Sequence, residues 1–172
     1  YIYKFVSKAV WSPKDIGKGP KAGDKYMNEG TLYVAVFHDD GTGEWRRLAM
    51  DTVKHKDYNF KDQADIAIHA RLAADAMGAT KMDRPEWIAV SPITGEVYVT
   101  LTNNKNRSTD ATDAANPRSY NNKGNQHGHI IRWHEQDGDH TATRFNWDVY
   151  LFAAPNDLTE QNLSNLSADN DL

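Results

Sequence analysis

Apolar and polar positions alternate along most of this chain in short runs rich in β-branched and aromatic residues. Such runs occur at 1–6, 30–37, 44–48, 87–90, 96–101, 129–133 and 141–152, and the spacing predicts strands. Gly-containing turn segments at 39–43, 91–95 and 136–139 separate successive runs, so three strand–turn–strand units are expected. One segment has the other period. Ile66, Ala70, Ala73 and Met77 fall at helical spacing in an alanine-rich stretch, which predicts a helix over 61–77 with Asp62 or Asn59 at its start and Gly78 as its stop. Residues 7–29, rich in Lys, Gly and Pro, are expected to form a loop with Trp11 as an anchor. Residues 103–126 are polar with hardly any large apolar side chain, and so long a loop is more often functional or mobile than neutral.

The expected fold class is therefore mainly β, with antiparallel sheets forming part of a β-propeller and one inserted α-helix. Residues 1–155 would be a partial propeller of about three blade-like units that cannot close a ring, and 156–172 a polar, acidic tail. Beginning at Tyr1 inside a strand-like run, the chain is read as a piece of a longer protein.

Composition narrows the function. With 39% hydrophobic and 26% charged residues in 172, a globular domain is expected. The formal net charge of −4 gives no basic field for nucleic acid. No apolar run approaches the roughly 20 residues that span a bilayer. The absence of cysteine removes disulfides, thiolate metal sites and a Cys nucleophile.

The chemistry concentrates at Lys81-Met82-Asp83-Arg84-Pro85-Glu86-Trp87. On an extended chain, side chains two apart point the same way, and Pro85 biases Arg84 toward extension. A guanidinium suited to phosphate and a carboxylate suited to a hard metal would then be presented together. Alone, such a pair is more readily a strand-edge salt bridge. Asp83, Asn103 and Asn104 are further candidate oxygen ligands near strand ends, although the two asparagines alone better suit the end of a strand and the start of a loop. His127-Gly128-His129 could turn two imidazoles toward one metal, but no third ligand is evident. Asp110, Asp113 and Asn116 suit a solvated loop, and Asp137-Gly138-Asp139 a hairpin turn.

Segments 70–87, 94–104 and 128–133 together resemble the PhoX-type alkaline phosphatases, and 30–35 and 40–45 agree. The resemblance implies a secreted six-bladed β-propeller, periplasmic or extracellular after twin-arginine export, that hydrolyses phosphate monoesters with calcium and ferric iron. It implies Glu86 as a metal ligand, most readily for calcium, and Arg84 as the catalytic, substrate-binding cation. Asp83, Asn103 and Asn104 match the pattern without a defined role. The family's iron-binding Cys and other ligand carboxylates lie outside this segment. The isolated chain is thus expected to bind calcium alone or no metal, to lack turnover, and to self-associate through open sheet edges. Two other readings remain open: a calcium-dependent propeller hydrolase of the lactonase or phosphotriesterase type, and a non-enzymatic propeller binding module.

Overall fold

The computed structural model describes residues 1–120 and 123–154; the expected tail at 156–172 lies outside the described residues. The chain forms two compact units, Tyr1–Ala35 with Trp45–Ala79, and Val36–Glu44 with Thr80–Leu172.

In the first unit, β1 (Tyr3–Ser7) pairs antiparallel with β2 (Gly30–Phe37) from Tyr3↔Val34 to Ser7↔Gly30. Strand β2 and strand β3 (Thr42–Arg47) form a hairpin whose open end belongs to this unit and whose tip, 36–44, belongs to the second. The loop expected between β1 and β2 contains a helix, α1 (Pro20–Met27). It buries no residue, so no apolar period announces it; Pro20 at the first turn was the available signal. Asp15 is the anchor here, with the ammonium groups of Lys18 and Lys25 each 2.7 Å away and the Tyr26 hydroxyl 2.6 Å away. These partners hold its carboxyl well below the usual carboxylate range. Trp11, expected to anchor, is exposed.

The single helix expected over 61–77 is two, α2 (Gln63–Ile68) and α3 (Ala70–Ala76). Its start is as expected: Asp62 accepts from the Asp65 N–H. The break falls at His69 (φ −102°, ψ 37°), whose Nδ1 lies 2.9 Å from the Asp65 carboxylate and 3.2 Å from the Asp65 main-chain oxygen. A side chain competing for the preceding turn disturbs the helical ladder there. Each helix buries part of its apolar face, Ile66 from α2 and Ala73 and Ala74 from α3, while Ile68 is exposed. Ile66, Ala73 and Ala74 pack with Val34, Leu48, Val53 and Phe60 in one cluster.

The second unit contains four further strands, β4 (Pro85–Val90), β5 (Val97–Leu101), β6 (His129–Glu135) and β7 (Arg144–Phe152). Alternation dictates what each buries: Val97, Val99 and Leu101 from β5, and His129, Ile131, Trp133 and Glu135 from β6, point inward. The two hairpins expected as separate units are joined by β5–β6 pairing, Val97↔Trp133 to Leu101↔His129, into one four-stranded antiparallel meander. Residues 42–44 of β3 add to its far side by pairing with 144–146 of β7. Phe37 packs edge-on against Phe145 and Trp147, each centroid 5.2 Å away. Gly43 is required there, because a Cβ would sit 2.1 Å from the Phe145 ring. Few helices accompany the antiparallel strands, in keeping with the mainly β antiparallel class. Strand β4 is an edge whose Trp87, Ile88 and Val90 are exposed.

Candidate functional site

The site grows out of a buried charge. Asp83 is fully buried one residue before Arg84. Its Oδ1 accepts from Arg107 Nε at 2.8 Å and Asn104 Nδ2 at 2.7 Å, and its Oδ2 from Asn125 Nδ2 at 3.0 Å. Its own N–H donates to Asn116 Oδ1 at 2.8 Å. Arg107 and Asn116 also donate to the Lys81 carbonyl, at 2.7 and 3.1 Å. The long polar stretch is therefore folded around an interior ion pair, and Asn116, expected to be solvated, is fully buried. Burying these donors without partners would be costly; paired, they fix one conformation of the loop.

His129 belongs to the same interior. Its Nε2 meets the Ala115 carbonyl at 2.8 Å, so Nε2 carries the hydrogen and Nδ1 accepts from Asn125 Nδ2 at 3.2 Å. Asn125 cannot turn over freely, since its Oδ1 already accepts from the Gly128 N–H. With both ring nitrogens committed, His129 does not share a metal with His127. Burial pushes its pKa below the ordinary 6.5, opposed by the Ala115 hydrogen bond and reinforced by Arg118. A base with a depressed folded pKa stabilises fully above the unfolded value and loses that contribution as pH falls below it. Urea midpoints should therefore decline between about pH 7 and about pH 5.5, above the range where carboxylates titrate. Unchanged midpoints over that interval would refute the assignment.

On this base sits Arg84, and its backbone is not extended. Its φ of +48° is left-handed, which Pro85 alone would not favour. The surroundings hold it there: Arg84 N–H donates to the Met82 carbonyl at 2.9 Å, and Thr102 N–H donates to the Arg84 carbonyl at 3.2 Å. The exposed guanidinium donates from Nη1 to Asn103 Oδ1 at 3.0 Å. Next to it the β4–β5 register slips between Pro85 and Trp87, which makes Glu86 the extra residue of a β-bulge. The expected side-by-side presentation on a regular strand is thereby corrected. A left-handed residue followed by a bulge aims the two side chains instead, and no ion pair joins them among the described residues.

The structure thus brings Arg84 and Asn103 into contact, leaves Glu86 exposed, half-buries Asn104 and withdraws Asp83 from solvent. Glu86 fits a hard cation as one oxygen ligand. Asp83 does not, because both its oxygens are engaged. Among the described residues no group of three or more His, Cys, Asp or Glu is placed to hold a metal. Sequence reasoning missed Arg107, Asn116 and Asn125. The signal was the loop's own polarity, since a long segment inside a compact unit must satisfy its main chain internally.

The fold and site define a mainly β antiparallel protein that exposes an arginine held by Asn103, a cation whose planar fork suits oxyanions. The sequence matches the family Alkaline phosphatase PhoX over residues 1–172, and the chain belongs to that family. It is similar to the solved structure of Pseudomonas fluorescens PhoX in complex with vanadate, a transition state analogue, with 36% identity and a TM-score of 0.80. That likeness covers 98% of this chain and 30% of the solved one, so the chain spans under a third of the length of that relative. No match was found among curated proteins.

Proposed function

We propose that this chain is part of a metal-dependent phosphatase that hydrolyses phosphate monoesters, with Arg84 as the phosphate-binding, catalytic cation. One observation carries the reading: the Arg84 guanidinium is held toward solvent on a left-handed backbone and steadied by Asn103. Backbone conformations this unfavourable persist where surroundings over-determine them, and they cluster at functional sites. Family membership supports the reaction class, and vanadate bound to the relative supports phosphoryl chemistry. In the overall reaction a water oxygen bonds to phosphorus, the bond to the ester oxygen breaks, and the alcohol departs with a proton. The Arg84 fork would hold two equatorial oxygens as their charge grows. Asn103 keeps the guanidinium oriented, and Asp83 and Asn104 fix the backbone on either side of that contact.

Glu86 would serve as one ligand of calcium, with ferric iron and the remaining ligands provided by the rest of the full-length protein. Such ions would supply Lewis-acid neutralisation of phosphate charge. We propose that residues 1–155 form part of a six-bladed propeller, supported by the antiparallel meander. Export to the periplasm or beyond rests on the family alone. Among the described residues no helix is long and apolar enough to cross a membrane. The exposed apolar edge of β4 supports self-association of the isolated chain.

Assays of the full-length protein on phosphate monoesters, triesters and lactones test the reading against a calcium propeller hydrolase. Preferential turnover of monoesters is expected, and triester or lactone preference would overturn it. Glu86→Gln, which keeps shape and removes charge, should lower calcium content and cut activity by roughly tenfold to a hundredfold. Native metal content and turnover in that variant would remove Glu86 from the site.

A further inference from the structure

A cavity of about 440 Å³ is lined by Asn103, the residue that holds the Arg84 guanidinium, with Lys105, Lys123, Gln126 and His127. Its walls meet because residues 104 and 125 form an antiparallel bridge. The Asn104 N–H donates to the Asn125 carbonyl at 2.7 Å, and the Asn125 N–H donates back at 3.1 Å. Both side-chain amides of that bridge donate to buried Asp83, so the residues next to Asn103, Lys105 and Gln126 are tied to the interior of the loop. Gly124 permits the approach, with φ +71° and room for no Cβ, which would lie 2.0 Å from the Asn104 carbonyl oxygen. The Lys123 N–H donates to the Tyr120 carbonyl at 2.8 Å, and Lys123 and Lys105 both line the cavity.

Three features give the cavity a chemical preference. Lys105 and Lys123 contribute two positive charges, and among the described residues no acidic side chain lines it. His127 Nε2 is buried and has no hydrogen-bond partner among the described residues, although buried polar atoms are ordinarily paired. Asn103 is shared, lining the cavity and accepting from Arg84 Nη1 at 3.0 Å. A second anionic group would therefore meet two ammonium donors, an amide and an unpartnered imidazole edge while the first is gripped by Arg84.

Resting on the phosphatase reading above, we infer that this cavity is a leaving-group subsite selecting phosphate monoesters whose alcohol portion carries a further phosphate. Arg84 holds the phosphate to be hydrolysed; Lys105, Lys123 and His127 hold the one that leaves with the alcohol. No bond changes in the cavity itself.

The test combines substrate choice with direct binding. In the full-length protein, kcat/KM for fructose bisphosphate relative to glycerol phosphate, whose leaving group is neutral, should fall roughly tenfold in Lys105→Gln/Lys123→Gln. Because the ratio is internal to one preparation, partial loss of folded protein does not move it. An unchanged ratio overturns the subsite. For this chain, inorganic pyrophosphate should shift the His127 ring resonances saturably and more tightly than inorganic phosphate. The double variant should lose that response while His129, the interior reporter, keeps its native resonances. Equal responses to phosphate and pyrophosphate would make the cavity a product-phosphate site and overturn the leaving-group role. Pyrophosphate binding with no turnover of any monoester by the full-length protein would instead sink the phosphatase reading and, with it, the leaving-group role, leaving only an anion cavity.

Discussion

Replacing Arg84 by alanine in the full-length protein is expected to lower kcat/KM for phosphate monoesters by roughly a hundredfold to a thousandfold, the scale of losing one preorganised donor to transition-state charge. Arg84→Lys should recover only part of this, since an ammonium keeps the charge but not the planar fork. Arg84→Gly separates function from fold. A glycine occupies φ +48° without penalty, so it should raise the urea midpoint by the equivalent of about 1 kcal/mol while losing as much activity as alanine. A residue that costs stability where it stands and is needed for turnover is the signature of functional strain. The decisive comparison is steady-state kinetics and denaturation on all three variants. Near-native turnover by Arg84→Ala would take the residue out of the mechanism.

The elements that could be read from the sequence are those whose burial follows a simple period. Strands β5 and β6 alternate inward and outward as their residue types require, and the turn chemistry between runs placed the hairpins. Helix α1 escaped because it is fastened by Lys25 and Tyr26 to Asp15, contacts without periodicity. The same limit applies at the site. Arg84 and Glu86 stood out through their spacing and family pattern. Their actual presentation comes from a left-handed residue and a bulge that local rules for a residue before proline disfavour. Nor can the sequence display that Asp83 pairs with Arg107 across a loop of small polar residues. Polar composition ordinarily signals solvent, and only tertiary closure makes it an interior.

Asp83→Ala carries the largest expected effect on stability. It leaves the Arg107 guanidinium buried without its carboxylate and removes an acceptor from the side-chain amides of Asn104 and Asn125, of which Asn125 keeps only its contact with His129 Nδ1. Breaking one side of a buried pair typically costs about 3–5 kcal/mol, a large share of the roughly 5–15 kcal/mol that holds a domain folded. The pairings among β5, β6 and β7 do not depend on that carboxylate, so amide exchange should rise first in 103–128 and later in the strands. A loss below about 1 kcal/mol would show that the loop is held elsewhere. The partner variant sharpens the test. Arg107→Met in the Asp83→Ala background should cost much less than in the native chain, since the charge it removes is by then unpaired. Activity should follow in the full-length protein, because Asp83 precedes Arg84 and Asn104 follows Asn103. When the interior pair fails, the contact that aims the guanidinium loses both of its supports.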